Sequence, residues 1–147
     1  MAQFVKSLMN GNNNPDVDYF YVAASQTIKQ GDIVQVDATT KLLEVAEAAS
    51  TTIVGIANAD ITTAAGETNK QLPVVLVRDV IIRMAFTNAG TKKTFTQADK
   101  YVTKFDISNQ TTVNPDDTTG GMMQVYAYDN EKLTVDVVVS QANQIFN

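Results

Sequence analysis

The chain has 147 residues, of which 44% are hydrophobic and 18% are charged, as in an ordinary folded protein with one sizeable core. It contains no cysteine, histidine or tryptophan, which excludes disulfides, thiolate chemistry and the usual general base at neutral pH. The formal net charge of −5 argues against a nucleic-acid partner, because binding a phosphate backbone requires a basic face.

The chain shows no membrane or export signal. Met1–Lys6 lacks the apolar run of a secretory signal, and no stretch approaches the roughly 18 apolar residues that a bilayer span requires. We therefore expect synthesis in a cytoplasm, no membrane partner, and a chain that stays in solution until it meets a partner.

The first residues differ from the remainder of the chain. Asn10–Asp16 is rich in asparagine, contains one proline and has no hydrophobic period, as in turns and coil. We predict an extended arm over residues 1–18, with a short apolar piece, Phe4–Met9, at its tip. These apolar side chains either pack back onto the domain or become ordered only on a partner.

Strand signals follow from Tyr19 onward, at the interval of about eight to twelve residues that is typical of an all-β sandwich or barrel. The segments are rich in Val, Ile, Tyr and Phe, which fit a pleated, half-buried surface. We predict one all-β domain over residues 19–147, a small β-barrel or sandwich. The predicted strands are Tyr19–Ala23, Ile33–Asp37, Leu43–Val45, Ile53–Ala57, Val74–Val77, Val80–Phe86, Tyr101–Phe105, Met122–Tyr128 and Leu133–Val139.

Two segments contain good helix formers and compete with this assignment. Leu42–Ala49 reads Leu-Leu-Glu-Val-Ala-Glu-Ala-Ala, and Thr94–Lys100 is suited to a single helical turn after a threonine cap. We favour the non-helical alternative for both.

The two halves of the chain contain similar blocks. Gln30–Asp32 and Gln97–Asp99 both precede strand-like segments, and Leu72–Val77 resembles Leu133–Val139. The blocks are offset by about 60 to 70 residues, which indicates either an internal duplication or a chance likeness between Val-rich strands.

The acidic residues at the end of the arm suggest a cation loop only loosely. Asp16 and Asp18, with Asn12 and Asn14 before them, place oxygen atoms at alternate positions. The central glycine and terminal glutamate of a calcium loop are missing, so we interpret this stretch as a turn whose side chains cap their own backbone.

The remaining candidates for chemistry are on a loop. Asp116 and Asp117 are adjacent, whereas the carboxylates of a glycosidase must face each other across a cleft. Gly120–Gly121 precedes a strand and not a helix, so it makes no phosphate loop. We predict no catalytic, cofactor-binding or metal-binding residue, and a protein that is not an enzyme and needs no cofactor.

Aromatic residues are concentrated in the first predicted strand and in a predicted strand near the end of the chain. Tyr19 and Tyr21 share one face of their strand and Phe20 has the other, while Tyr126 and Tyr128 come near the end of the chain. One face belongs to the core, and the other is either ordinary surface or a contact surface, since tyrosine is enriched at interfaces.

Two motifs carry a resemblance to a known family. Gly31–Val34 reads Gly-Asp-Ile-Val and is followed by a short hairpin, and Ile53–Ala57 reads Ile-Val-Gly-Ile-Ala. This order resembles the capsid decoration (cement) proteins of tailed bacteriophages over roughly residues 20–140. This chain is longer than the smallest such proteins.

The resemblance implies a β-barrel of the β-tulip or SH3-like type and a structural role in the virion. Such a protein binds the outside of the assembled major capsid protein lattice, often as a homotrimer at symmetry axes, and stabilises the shell. In several members an N-terminal arm adds a strand to the capsid protein. Here the matching residues are Phe4, Val5, Leu8 and Met9.

A different virion surface protein is the alternative. A head fibre or tail subunit that binds a host glycan would present exposed aromatic side chains with acidic partners on its loops. Residues 62–68 and 109–120 are instead rich in Thr, Asn and Gly.

Overall fold

The computed structural model describes residues 1–8 and 13–146, and within these ranges the protein is all-β. Two single 3₁₀ turns, Gln97–Asp99 and Gln141–Asn143, are present beside the strands. The strands are β1 (Gln3–Ser7), β2 (Val17–Tyr21), β3 (Thr27–Ile28), β4 (Ile33–Val36), β5 (Leu43–Val45), β6 (Ile53–Ala57), β7 (Ile61–Thr62), β8 (Gln71–Leu76), β9 (Val80–Phe86), β10 (Lys104–Phe105), β11 (Ile107–Asn109), β12 (Thr112–Val113), β13 (Met123–Asp129) and β14 (Thr134–Val139).

The strands form two larger sheets and a short ribbon. The first sheet has the order β2-β8-β6-β4-β5, and the second has the order β10-β13-β14-β9-β12-β11 with β1 added on β9. The ribbon pairs β3 with β7. The all-β barrel or sandwich that the sequence predicts is therefore confirmed.

Both larger sheets close into nearly complete barrels with the same strand order. In the first, the parallel bridge between Val22 and Leu43 returns the sheet from β5 to the end of β2. In the second, β12 lies parallel to β9 and closes the ring at Phe86 and Val113. All other neighbouring strands in both rings are antiparallel. The similar halves of the sequence thus correspond to a structural repeat.

The repeat extends to the turns that precede equivalent strands. Before β4, the Lys29 N–H donates to the Asp32 carboxylate at 2.8 Å. Before β10, the Thr96 N–H donates to the Asp99 carboxylate at 2.7 Å. Both aspartates are buried, and each satisfies a turn N–H that would otherwise be unpaired.

Two hydrophobic cores explain why buried and half-buried residues alternate along some strands but not along others. In β14, Val135, Val137 and Val139 face a core while the intervening residues are half-buried, which is the period of a strand with one covered face. All five residues of β6 are buried because this strand lies between the cores. Its Val54 contacts the first core, whereas its Ile56 contacts the second.

The second core joins the two barrels. The first core holds residues of the first barrel, whereas the second combines residues from both halves of the chain. The first core contains Val22, Ile28, Val34, Leu43, Val54, Ala57, Leu72 and Val74. Because the outer faces of β4, β6 and β8 are covered by the second barrel, the halves are packed as one unit.

The structure decides between helix and strand for the two segments that contain good helix formers. The stretch 42–49 contains strand β5 and no helix. The stretch 94–100 contains a single 3₁₀ turn that begins after Thr96. A one-turn element is favoured there because the Asp99 carboxylate accepts from both the N–H and the hydroxyl of Thr96.

Candidate functional site

The N-terminal residues form strand β1, which is attached to both barrels. Gln3–Ser7 pairs antiparallel with Arg83–Val80 of β9, with a bulge between Phe4 and Lys6. The Ala2 N–H donates to the Gly31 carbonyl of the first barrel at 2.8 Å. The start of the predicted arm therefore packs on the domain, the first of the two alternatives for its apolar side chains.

The four predicted docking residues do not share one environment. Phe4 is half-buried and packs against the second core, and Val5 is half-buried at the bulge. Leu8 is 44% exposed, although its N–H donates to the Asp79 carbonyl at 2.7 Å. Met9 lies outside the described residues. Of the described docking residues, Leu8 is thus the most accessible apolar side chain.

A cleft of about 530 Å³ lies between β1 and β2, where the two barrels meet. Its lining combines acidic side chains with apolar ones. Its lining residues are Phe4, Ser7, Asn14, Asp16, Asp18, Leu76, Arg78, Asp79, Val80 and Phe146. Arg78 pairs with Asp79 at 3.7 Å, so Asp16 and Asp18 give the cleft its negative charge.

Strand β2 is at the edge of its sheet, and its register shows which backbone groups face outward. Leu76 donates its N–H to the Asp16 carbonyl, and Val22 donates its N–H to the Lys70 carbonyl, both at 2.9 Å. In an antiparallel pair the bonded positions alternate, so Val17, Tyr19 and Tyr21 direct their N–H and C=O groups away from β8.

Two features of the sequence agree with this geometry. Pro73, which has no N–H, lies opposite Tyr19, where no bond to β2 is required. On the outer side, the Tyr19 N–H has no neighbouring strand among the described residues and donates to the Asp18 carboxylate at 2.8 Å. A charged side chain that covers an edge N–H is a common protection against unwanted strand pairing.

The aromatic residues highlighted by the sequence have different roles. Phe20 is half-buried against the first core, while Tyr19 and Tyr21 are exposed on the opposite face of β2. Tyr128 packs against the second core. Tyr126 is exposed and meets the ring of Tyr101 at 6.4 Å.

Two lysines complete a surface patch around the last pair of rings. The Lys6 ammonium lies 5.3 Å from the ring centre of Tyr126, and the Lys100 ammonium lies 4.9 Å from that of Tyr101. Both distances are typical of cation–π contacts. The neighbouring Val102 is 83% exposed, which makes the patch partly apolar.

The adjacent loop carboxylates support the backbone. Asp116 accepts the Lys92 N–H at 2.7 Å, and Asp117 accepts the Thr119 N–H at 2.9 Å. The two carboxylates thus fix loop turns, and no cleft-forming role is observed for them. Within the described ranges, no group of three or more acidic side chains is placed to hold a metal ion.

A partly buried ion pair supports the second barrel. Lys92 contacts the Asp99 carboxylate, and its ammonium also lies 5.4 Å from the ring centre of Phe105. Burial alone would raise the pKa of the Asp99 carboxyl. Hydrogen bonds from Lys92 and Thr96 outweigh burial, so this pKa is below its usual value.

The acidic edge at β2 is the feature that sequence reasoning missed. The sequence predicts a turn at Asp16 and Asp18, because the Asn-rich stretch before them has no period. The alternation Asp16-Val17-Asp18-Tyr19 was the available signal, since it continues into the strand and places both carboxylates on one face.

Comparison with models of known protein families and with curated proteins finds no match. Neither 3₁₀ turn in residues 1–8 and 13–146 is long and apolar enough to span a membrane.

Proposed function

We propose that the protein is a structural protein of a bacteriophage virion that binds the outer surface of the assembled capsid and stabilises it. The resemblance carried by Gly31–Val34 and Ile53–Ala57 motivates this proposal. The observation that supports it best is strand β1, which is fastened to the domain and pairs only with β9 among the described strands.

A strand held in this way suits docking to a protein shell. Its second edge provides main-chain hydrogen-bonding groups, and Leu8 at its end provides apolar contact. Because the strand is already ordered, binding would not require the entropy loss of ordering a free arm. The partner in this proposal is the major capsid protein lattice, and the binding unit is a homotrimer.

Stabilisation needs no chemistry in this mechanism. A protein that binds the assembled lattice and not its free subunits shifts the equilibrium toward the assembled state by mass action. Many identical sites on a shell multiply that effect. The capsid exterior is thus the proposed location, after synthesis in the host cytoplasm.

Co-sedimentation with empty, expanded phage capsids tests the proposal. We expect bound copies to saturate at a multiple of the symmetry sites of the lattice. Leu8→Asp should weaken binding by about tenfold, because it removes an apolar contact of about 1–2 kcal/mol. Ala65→Asp is the matched control, since Ala65 is exposed in a turn whose neighbour Ala64 accepts the Ser25 N–H of the first barrel. The absence of binding to capsids of the source phage would contradict the proposal.

A glycan-binding head fibre or tail subunit is the second candidate. The exposed pair of Tyr101 and Tyr126 favours it, because an aromatic surface can stack on a sugar ring. Residues 62–68 and 109–120 contain no aromatic side chain that would extend this surface. Binding to host surface glycans that is lost in Tyr101→Ala would favour this candidate over capsid binding.

A further inference from the structure

The edge of β2 corresponds to an edge that is covered in the second barrel. β2 and β9 occupy the same place in the repeated strand order. The edge of β9 is covered in two parts, by β12 at Ala85–Phe86 and by β1 at Val80–Arg83. On β2, the bridge at Val22 matches the first part, but no described strand lies beside Val17–Phe20 to match the second.

We propose that this edge accepts an extended strand from a partner protein, antiparallel to β2 as β1 is to β9, with lysine or arginine facing the cleft. The backbone already has the required geometry. Val17 and Tyr19 direct their N–H and C=O groups outward, so they can pair with the alternate residues of an added strand, whereas the Tyr21 C=O already faces β5 at the bridge beside Val22.

The side chains on the two faces of β2 specify the sequence of this partner. Val17, Tyr19 and Tyr21 are 44%, 61% and 53% exposed and form an apolar outer face. Asp16 and Asp18 line the cleft on the other face. The partner strand therefore alternates residues that contact tyrosine and valine with residues that neutralise carboxylates.

The Asp18 carboxylate makes a basic side chain advantageous for a second reason. It holds the Tyr19 N–H at 2.8 Å, and strand addition must release that hydrogen bond. A lysine or arginine on the incoming strand would pair with the released carboxylate. An acidic or purely apolar strand would leave it without a partner and would bind less well.

The β1 strand of a second copy fits this edge poorly. On β9, Phe4 faces apolar residues of the second core. At the equivalent position on β2, the same ring would face Asp16 and Asp18. The charge of the cleft thus favours a basic segment of another protein. Only the identity of that protein, a shell subunit, rests on the proposed function.

A synthetic peptide with the sequence acetyl-Thr-Lys-Val-Lys-Val-Lys-Thr-amide tests strand addition at the edge of β2 in the whole protein. We expect its addition to shift the backbone amide signals of Val17 and Tyr19 and to slow their hydrogen exchange. A matched peptide with glutamate in place of lysine should not do so.

The double variant Asp16→Asn, Asp18→Asn should weaken binding of the lysine peptide by about three- to tenfold, the effect of two exposed ion pairs. Glu131→Gln, in an exposed turn, should leave binding unchanged.

Three outcomes would overturn the inference. One is no amide shift in β2 at millimolar peptide, and a second is equal binding of the glutamate peptide. The third is concentration-dependent protection of the β2 amides in the protein alone, which would identify a second copy as the occupant. The experiment uses no capsid, so its failure is distinguishable from a failure of co-sedimentation.

Discussion

At the scale of single residues, glycine is required at two positions for different physical reasons. A Cβ atom on Gly55 would lie 2.0 Å from the Val75 carbonyl oxygen, because β6 and β8 approach closely where Gly55 lies opposite Leu76. Gly66 has open space around it but a φ of +76°. The first glycine is required by packing, and the second by backbone conformation.

The two glycines predict different losses of stability. Gly55→Ala should reduce the free energy of unfolding by about 3 kcal/mol or more, since the backbone of β8 would have to move. Gly66→Ala should cost only about 1–2 kcal/mol, the strain of a left-handed alanine. Urea denaturation of both variants measures the difference, and equal losses would contradict the close approach at Val75.

The lowered pKa of Asp99 predicts a pH dependence of stability. A depressed carboxyl pKa contributes stability above the unfolded value of about 3.9, and this contribution is lost as the pH falls through the folded pKa. Asp99→Asn should therefore be less stable than the parent at pH 6, with a smaller difference at pH 3. Urea denaturation at both pH values tests this, with Glu131→Gln as a control that should show no such change.

At the scale of elements, the predictable strands were those with a full hydrophobic pattern. β5, β6 and β9 match their predicted bounds, and β4 and β14 differ by one residue at one end. The predicted strand Tyr101–Phe105 is shortened to β10, and the two-residue strands β3, β7 and β12 lie outside the predicted strands, because two residues have no period. They form where a partner strand supplies hydrogen bonds, as β12 does beside β9.

Strand β1 is the element that local reasoning could not place. Its partner residues in β9 are distant in sequence, so its pairing depends on the assembled barrels. The cleft beside it could not be predicted either, since it forms where β1 and β2 meet. The apolar piece Phe4–Met9 was recognised, but its environment comes from tertiary contacts.

The attachment of β1 predicts that two of its side chains contribute unequally to the free energy of unfolding. Phe4→Ala should reduce the free energy of unfolding by about 1–3 kcal/mol, because the ring is half-buried against the second core. Lys6→Ala should cost at most about 1 kcal/mol, the value of an exposed cation–π contact with Tyr126. Thermal unfolding tests both, and a larger loss at Lys6 would contradict the observed pairing.

At the scale of the whole molecule, the shared second core predicts cooperative unfolding of the two barrels. Val34→Ala lies in the first core and Val137→Ala in the second, and each should cost about 1–3 kcal/mol. Because β6 contacts both cores, either variant should lower the midpoint of one common transition. Tyrosine fluorescence and far-UV circular dichroism should give the same midpoint, and two separated transitions would contradict this.

The position of β1 has a consequence for the order of events during synthesis. Each barrel is made from one continuous half of the chain, so the first can close while the second is still being translated. β1 leaves the ribosome before the strands of both barrels, yet its partner Arg83 follows Gln3 by about 80 residues. A strand that is made before both barrels is thus among the last to be paired, and until β9 emerges the nascent chain carries an unpaired strand that must avoid other sheet edges.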